Sequence, residues 1–312
     1  MSNNTNTETL NILVTGSNGQ LGSEIQELAK NYEYNFFFTD RTNLDITSKD
    51  DIKNFCELNN INTIINCAAY TQVDKAQTDK INADLANRKA VKKLAKISKE
   101  KNIKLIHIST DYVFDGKYYK PYSEEYQTNP QSVYGQTKLD GENHMLDINP
   151  KDSIIIRTSW VYSSYGNNFV KTMLRLGKEK DELDVIYDQV GTPTYAADLA
   201  QTILDILPNI KNKKVQIYNY SNEGVLSWYD FAKEIMKMAK ITCQINPIET
   251  YQYLALNADV PVPKGKVERP TPAQRPHYSL LNKSKIKNEF NITIPFWKDS
   301  LDKCLRKLGE RS

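Results

Sequence analysis

Three observations predict an α/β chain built on a doubly wound parallel sheet. Short apolar runs bounded by turn residues alternate with helical patterns along the first half. The first run leads straight into spaced glycines, Gly16-Ser-Asn-Gly19-Gln-Leu-Gly22. Residues with useful chemistry sit at or just past the ends of these runs. Strands alternating with helices imply parallel pairing through right-handed crossovers. Ligands bind such sheets in the crevice outside the carboxyl ends of the strands.

Asn11-Ile-Leu-Val-Thr-Gly16 reads as the first strand, and a helical pattern covers 23–30. Gly16, Gly19 and Gly22 lie between them, where glycine permits a tight turn and close approach of a pyrophosphate. The helix N-terminus adds unpaired N–H groups and a partial positive charge. Phe36-Phe-Phe-Thr-Asp40 is a second strand ending in an acid, at the spacing where a carboxylate takes the ribose hydroxyls of a dinucleotide. This is the pattern of a Rossmann-type domain. Arg41 follows at once. Its guanidinium suits a 2′-phosphate that Asp40 would repel, so NADPH and NADH both stay open.

A helix over 48–58 precedes a third buried strand, Asn62-Thr-Ile-Ile-Asn-Cys-Ala-Ala69, whose small last residues admit a flat ring or a backbone. Tyr70-Thr-Gln-Val-Asp-Lys-Ala reads as a loop and 82–99 as a long helix. The strand Lys104-Leu-Ile-His-Ile-Ser-Thr110 places a hydroxyl, Ser109 or Thr110, at its end. Ser132-Val-Tyr-Gly-Gln-Thr-Lys138 then opens a helix. Tyr134 and Lys138, four apart, share a face. A phenol has a pKa of about 10, and a neighbouring ammonium lowers it. Tyr134 is thus the candidate proton donor or acceptor for a carbonyl/alcohol oxygen. In a chain with 19 tyrosines such pairs also arise by chance. Tyr229 and Lys233 form one inside an ordinary amphipathic helix, and only context sets the first pair apart.

Asp152-Ser-Ile-Ile-Ile-Arg-Thr-Ser159 is a further strand. Gly16, Asp40, Ala69, Thr110 and Trp160 then all fall at strand ends and converge on one crevice. Beyond it the pattern loosens: helices over 169–178, 197–207, 228–240 and 295–308, a turn-rich loop at 188–195, and a strand at 215–221 returning to the sheet. Five prolines in 258–278 mark a long irregular stretch. Trp160 suits stacking on a sugar or base, or packing at a domain seam. Arg269 and Arg275 suit phosphates or solvent. The expected division is a Rossmann NAD(P)-binding domain over 10–160 with about 184–221, a smaller C-terminal α/β substrate-binding lobe over about 161–183 and 222–308, and a disordered tail at 1–9.

Bulk properties exclude other classes. The 312 residues are 39% hydrophobic and 25% charged, a soluble globular composition. A net charge of +3 argues against nucleic acid and membrane surfaces as partners. No apolar run approaches the roughly 18 residues of a spanning helix, and the polar start is not a signal peptide. The four cysteines form no C-x-x-C pair and read as reduced thiols of a cytoplasmic protein. The three scattered histidines lack zinc-ligand spacing.

The chain also resembles a known family. Val14-Thr-Gly-Ser-Asn-Gly-Gln-Leu-Gly22, Asn66-Cys-Ala-Ala-Tyr-Thr-Gln-Val-Asp74, Ser109-Thr-Asp-Tyr-Val-Phe-Asp-Gly116, Tyr134-Gly-Gln-Thr-Lys-Leu-Asp-Gly-Glu142, Arg157-Thr-Ser-Trp-Val-Tyr162, Asp188-Gln-Val-Gly-Thr-Pro-Thr194 and Arg275-Pro-His-Tyr-Ser279 are similar to the extended short-chain dehydrogenase/reductase superfamily, and within it to the dTDP-4-dehydrorhamnose reductase family. The resemblance implies reduction of a dTDP-sugar at C4 by NAD(P)H. It implies that Tyr134 protonates the new alkoxide, Lys138 holds the nicotinamide ribose, and Thr110 orients the keto oxygen. It places Asn18, Gln20, Leu21, Asp40, Asp45, Ile46, Ala68, Ala69 and Tyr70 along the cofactor, and Asp111 and Trp160 on the substrate. Related 4,6-dehydratases carry Thr-Asp-Glu where Tyr112 follows Asp111 here, so the base for elimination is missing. Epimerases share the Tyr and Lys, and a regulatory subunit of methionine adenosyltransferase shares the family likeness without turnover. Some members are magnesium-bridged dimers using glutamates. Glu24 matches one such position, but Lys298 stands where those members carry an acid, which argues against Mg2+ here and leaves a monomer or a homodimer.

Overall fold

The computed structural model describes residues 9–258 and 272–311. The tail, apart from its last residue, and Arg269 lie outside the described residues. The first half runs β1 (Asn11–Thr15), α1 (Gln20–Ala29), β2 (Asn35–Thr39), α2 (Lys49–Leu58), β3 (Thr63–Asn66), α3 (Val73–Ala76), α4 (Lys80–Asp84), a π-helical stretch (Leu85–Lys89), α5 (Ala90–Lys101), β4 (Lys104–Thr110), α6 (Val133–Ile148) and β5 (Ile154–Thr158). The second half adds β6 (Val161–Tyr162), α7 (Phe169–Glu179), β7 (Glu182–Ile186), β8 (Val190–Gly191), β9 (Thr194–Tyr195), α8 (Ala196–Ile206), β10 (Gln216–Tyr220), β11 (Leu226–Ser227), α9 (Trp228–Met238), β12 (Gln244–Ile248), α10 (Thr250–Ala258), α11 (Ser284–Phe290) and α12 (Trp297–Lys307).

Six strands make one parallel sheet in the order β10-β5-β4-β3-β1-β2. The chain leaves β1 for β2 on one side, then returns past β1 to β3 on the other. That reversal opens a crevice beyond the strand ends. Both sheet faces are covered, which is why the strands read as unbroken apolar runs. The alternation survives in the packing. Ile12 and Val14 join Leu21 and Ile25 of α1 and Leu199 and Ile203 of α8. Leu13 between them points the other way, to Ile52 of α2, Leu94 of α5 and Met145 of α6. Ile154 and Ile156 against Ile155 repeat the pattern in β5. Each such fully buried side chain contributes about 2 kcal/mol.

A third core lies off the sheet. Val170 and Leu174 of α7, Leu183 and Val185 of β7, Phe231 and Ile235 of α9, Ile245 of β12 and Leu301 of α12 share it. β7 pairs in parallel with β12 and not with the six-stranded sheet. Among the described residues, no helix is long and apolar enough to cross a membrane.

Several boundaries differ from the sequence reading: Val73–Ala76, read as loop, is helical, and the strand read to Ala69 ends at Asn66. α1 starts at Gln20 and not at 23, because Gly19 serves as its N-cap without any side-chain bond. The helix expected at 82–99 begins at Lys80 and widens into the π-helical stretch, which places Asn87 beside Tyr70 and Thr137.

Candidate active site

The glycine turn is built by contacts that exclude side chains. Gly16 has φ +65°, and a Cβ there would lie 2.7 Å from the Ala68 backbone. A Cβ on Gly22 would lie 2.5 Å from the Gly16 carbonyl. The Ser17 N–H donates to the Thr39 carbonyl at 3.0 Å. The turn is thereby clamped between the end of β2 and the residue that follows Cys67. With no side-chain cap at Gly19, the first N–H groups of α1 remain available to an anion. Leu21 is buried on the sheet, and Gln20 accepts a hydrogen bond from Asn168 at 3.0 Å.

Asp40 stands just past β2. Its carboxylate accepts from the Thr42 hydroxyl at 2.6 Å, from the Thr42 N–H at 2.8 Å and from the Asn18 amide, bonds that hold it below the usual carboxylate range. Arg41 is exposed and lines a cavity of about 380 Å³ with Thr42, Leu44, Asp45, Asp51 and Phe55. Asp45 is held low by the backbone and hydroxyl of Thr47, with Arg41 and Lys93 adding to it. Ile46, Ala68, Ala69 and Tyr70 are half-buried. Asn87 fixes Tyr70 by accepting from its N–H at 2.9 Å and donating to its carbonyl at 3.1 Å.

At the end of β4 the two hydroxyls part. Ser109 donates to Glu142 of α6. Thr110 interacts with the Tyr134 phenol, donates to Asp111 at 3.0 Å and accepts from the Tyr112 N–H at 3.2 Å. Thr110, not Ser109, therefore joins the tyrosine. Ser132 caps α6 by accepting from the Gly135 N–H at 3.1 Å, which sets Tyr134 in the first turn. Tyr134 is buried and meets Tyr112 edge-on, with ring centres 5.5 Å apart. Lys138, one turn on, donates from Nζ to the Ile108 carbonyl at 2.5 Å.

One expectation is corrected here. The spacing of Tyr134 and Lys138 predicts a phenol pKa lowered by the ammonium. Burial instead pushes the phenol up to about 12, with the Asp111 carboxyl adding to it and Thr110 pulling against it. Burial likewise brings Lys138 down to about 8, with Glu142 and Cys67 opposing it.

Asp111 is buried and pushed up to about 6 by burial, with Ser279 and Thr110 drawing it down. Its Oδ2 has no partner of hydrogen-bond geometry. Trp160 has φ +48° and stacks on Trp228 with ring centres 3.6 Å apart. One face of Trp160 is thus already covered. Arg275 already has an anionic partner. It pairs with Asp74 at 2.7 and 3.1 Å, and Asp74 also accepts from the Ala273 N–H at 3.0 Å. Glu24 faces the interior, accepting from Ser163 at 2.5 Å and Lys307 at 2.7 Å, while Lys298 pairs with Glu234.

A family model described as RmlD substrate binding domain matches residues 10–310. The chain belongs to this family. The dTDP-4-dehydrorhamnose reductase of Aggregatibacter actinomycetemcomitans is 39% identical over 309 residues, covering 96% of this chain and 99% of the relative. A crystal structure of a dTDP-4-dehydrorhamnose reductase from Clostridium acetobutylicum matches with a TM-score of 0.85 and 40% identity, over 96% of this chain and 99% of that one. The dTDP-4-dehydrorhamnose reductase of Bacillus anthracis, solved in complex with NADP, gives a TM-score of 0.85 at 34% identity, over 96% and 99%.

Three residues around this family site escaped the sequence reading. Asn87 joins Tyr70 to Thr137 from within the π-helical stretch, and no periodicity announces such a stretch. Glu142 and Arg157 form a buried ion pair at 2.6 Å behind Lys138. Glu142 falls at i+8 from Tyr134 on the same helix face, a spacing that could have signalled it.

Proposed function

We propose that the chain reduces the C4 keto group of dTDP-4-dehydro-β-L-rhamnose to dTDP-β-L-rhamnose with NADPH, the last step of dTDP-rhamnose synthesis. The observation that carries this is the joining of Thr110, Tyr134 and Lys138 at the end of β4, next to the residues on which the glycine turn packs. The named relatives match this chain over nearly their full length.

The residues fit a dinucleotide. Gly16 and Gly22 leave a cradle that a Cβ would fill, and α1 offers uncapped N–H groups. We assign Gly16, Asn18, Gly19, Gln20, Leu21 and Gly22 to the pyrophosphate, Asp40, Arg41, Asp45 and Ile46 to the adenosine end, and Ala68, Ala69 and Tyr70 to the middle. NADPH is assigned because Arg41 is exposed beside the cavity past β2. Asp40, an acceptor for ribose hydroxyls, keeps NADH as the alternative. Once bound, the nicotinamide supplies hydride to C4.

Tyr134, kept protonated by burial, gives its proton to the C4 oxygen as charge develops there. Positioned proton transfer of this kind contributes roughly 10²–10⁴ in rate. Thr110 hydrogen-bonds the same oxygen, and Lys138 holds the nicotinamide ribose. Asp111 and Trp160 contact the sugar, and Arg275 borders the phosphates while tied to Asp74. We further assign 10–160 with about 184–221 to the cofactor domain, 161–183 with 222–308 to the substrate lobe, and the protein to the cytoplasm as a monomer or homodimer. Purified protein given NADPH and dTDP-4-dehydro-L-rhamnose should lose NADPH absorbance and form dTDP-rhamnose. Folded protein that leaves both reagents untouched would overturn the reading.

A further inference from the structure

Behind the site lies a fully enclosed polar cluster for which the reaction itself has no use. Glu142 is 0% and Arg157 3% exposed. The guanidinium grips the carboxylate with Nη2 on Oε2 at 2.6 Å and Nε on Oε1 at 3.1 Å. It also donates to the Glu124 carbonyl at 3.2 Å and lies 5.2 Å from the Phe114 ring centre. Ser109 donates to the same carboxylate. Three consecutive residues of β4 therefore hold one helix: the Ile108 carbonyl takes Lys138, the Ser109 hydroxyl takes Glu142, and the Thr110 hydroxyl meets Tyr134. A buried ion pair adds little to stability by itself, since desolvation offsets the attraction, so its retention beside the site calls for another reason.

We propose that Glu142 is a positioning residue: its carboxylate locks the Tyr134–Lys138 face of α6 onto the end of β4 and supplies the counter-charge that keeps Lys138 an ammonium. The inference rests on the reductase reading above. The ionisable groups facing Lys138 are Glu142 and Tyr134 on its own helix, Cys67 just past β3 and His107 in β4. Burial and the Lys138 charge hold His107 well below its usual range, so it stays neutral, and burial pushes the Cys67 thiol up to about 12. Tyr134 stays neutral likewise. Glu142, gripped by Arg157, is thus the carboxylate of that set. Burial alone draws Lys138 downward, and Glu142 opposes it.

The pH profile of kcat/KM reports groups of the free enzyme. In Glu142→Gln its alkaline limb should move down by about one pH unit, the size expected when an opposite charge one helical turn away is removed. Ser109→Ala keeps the charge and removes the tether, so kcat should fall about tenfold with the limb in place. Glu142→Asp should return the limb toward wild type. Should Glu142→Gln not fold because Arg157 is left unpaired, Glu142→Gln combined with Arg157→Met removes both charges, and its limb should still move down, by less than in Glu142→Gln because loss of the cation acts the other way. A folded Glu142→Gln, or the double variant, with the wild-type limb would overturn the inference. So would an equal shift in Ser109→Ala. Wild-type protein without turnover would instead defeat the reductase reading, and the inference with it.

Discussion

Tyr134 and Lys138 are moved in opposite directions by the same burial, the phenol up to about 12 and the ammonium down to about 8. Near neutral pH the phenol keeps its proton and the lysine its charge, which suits donation to a developing alkoxide. Tyr134→Phe removes a single hydroxyl from a packed ring, so kcat should drop by roughly 10²–10⁴ while NADPH binding, read by fluorescence titration, changes far less. Turnover within tenfold of wild type would remove Tyr134 from the mechanism. Asp111 offers a second test. Its folded pKa of about 6 lies above the ordinary value near 3.9, so the native state binds the proton more tightly than the unfolded one. Its stabilising contribution is complete below pH of about 4 and is lost as pH rises toward 6. A carboxyl raised this far is penalised by about 3 kcal/mol at neutral pH, where it must ionise while buried. Asp111→Asn should therefore melt higher than wild type at neutral pH and alike near pH of about 4. Its kcat/KM should fall at least about tenfold through loss of a charged acceptor. Equal melting temperatures at neutral pH would show that Asp111 is not strained by burial.

At the level of elements, the turn between β1 and α1 places its demands on two glycines for different reasons. Gly16 needs its positive φ, and Gly22 needs the space its missing Cβ leaves over the Gly16 carbonyl. Gly22→Ala should cost about 1–3 kcal/mol through overpacking and weaken NADPH binding at least about tenfold. Gly309→Ala is the control. Its φ is +72° with nothing within 4 Å of a Cβ, so it should cost about 1–2 kcal/mol of backbone strain and leave NADPH binding alone. Urea unfolding and cofactor titration separate the two. This turn was legible in the sequence because glycine spacing and strand runs are local signals. The same holds for β1 to β5 and for the return of β10 to the sheet. The π-helical stretch at Leu85–Lys89 was not, since one extra residue per turn leaves the apolar pattern nearly unchanged. β12 was hidden by Pro247, which disqualifies a central strand but suits the edge of a two-stranded sheet.

Across the whole molecule, the convergence of strand ends was legible because a parallel sheet puts every carboxyl end on one side. The partners of individual charges were not. Arg275 and Asp74 are 201 positions apart, Lys307 and Glu24 are 283 apart, and nothing local in either segment names the other. These long-range ties connect the region after 272 and the last helix to the first half of the chain. The Arg275 pair carries a test of what such a tie does. With side chains 31% and 51% exposed, it contributes about 1 kcal/mol or less to stability, so Asp74→Asn should hardly change the melting temperature. The variant does, however, remove the charge that pairs Arg275 and leave one amide oxygen to serve both Arg275 and the Ala273 N–H, which loosens the chain that leads to Ser279. If this segment borders the substrate phosphates as proposed, the KM for the sugar nucleotide should rise about fivefold, the factor that about 1 kcal/mol supplies, while the KM for NADPH stays put. Raising the ionic strength should weaken wild-type substrate binding in the same sense and affect Asp74→Asn less, because the variant has already lost the screened pair. A KM for the sugar nucleotide that does not change in Asp74→Asn would mean that the segment is held by its backbone contacts alone, the Tyr278 N–H on Gly116 and the Ser279 N–H on Val190, and that Arg275 is a surface charge.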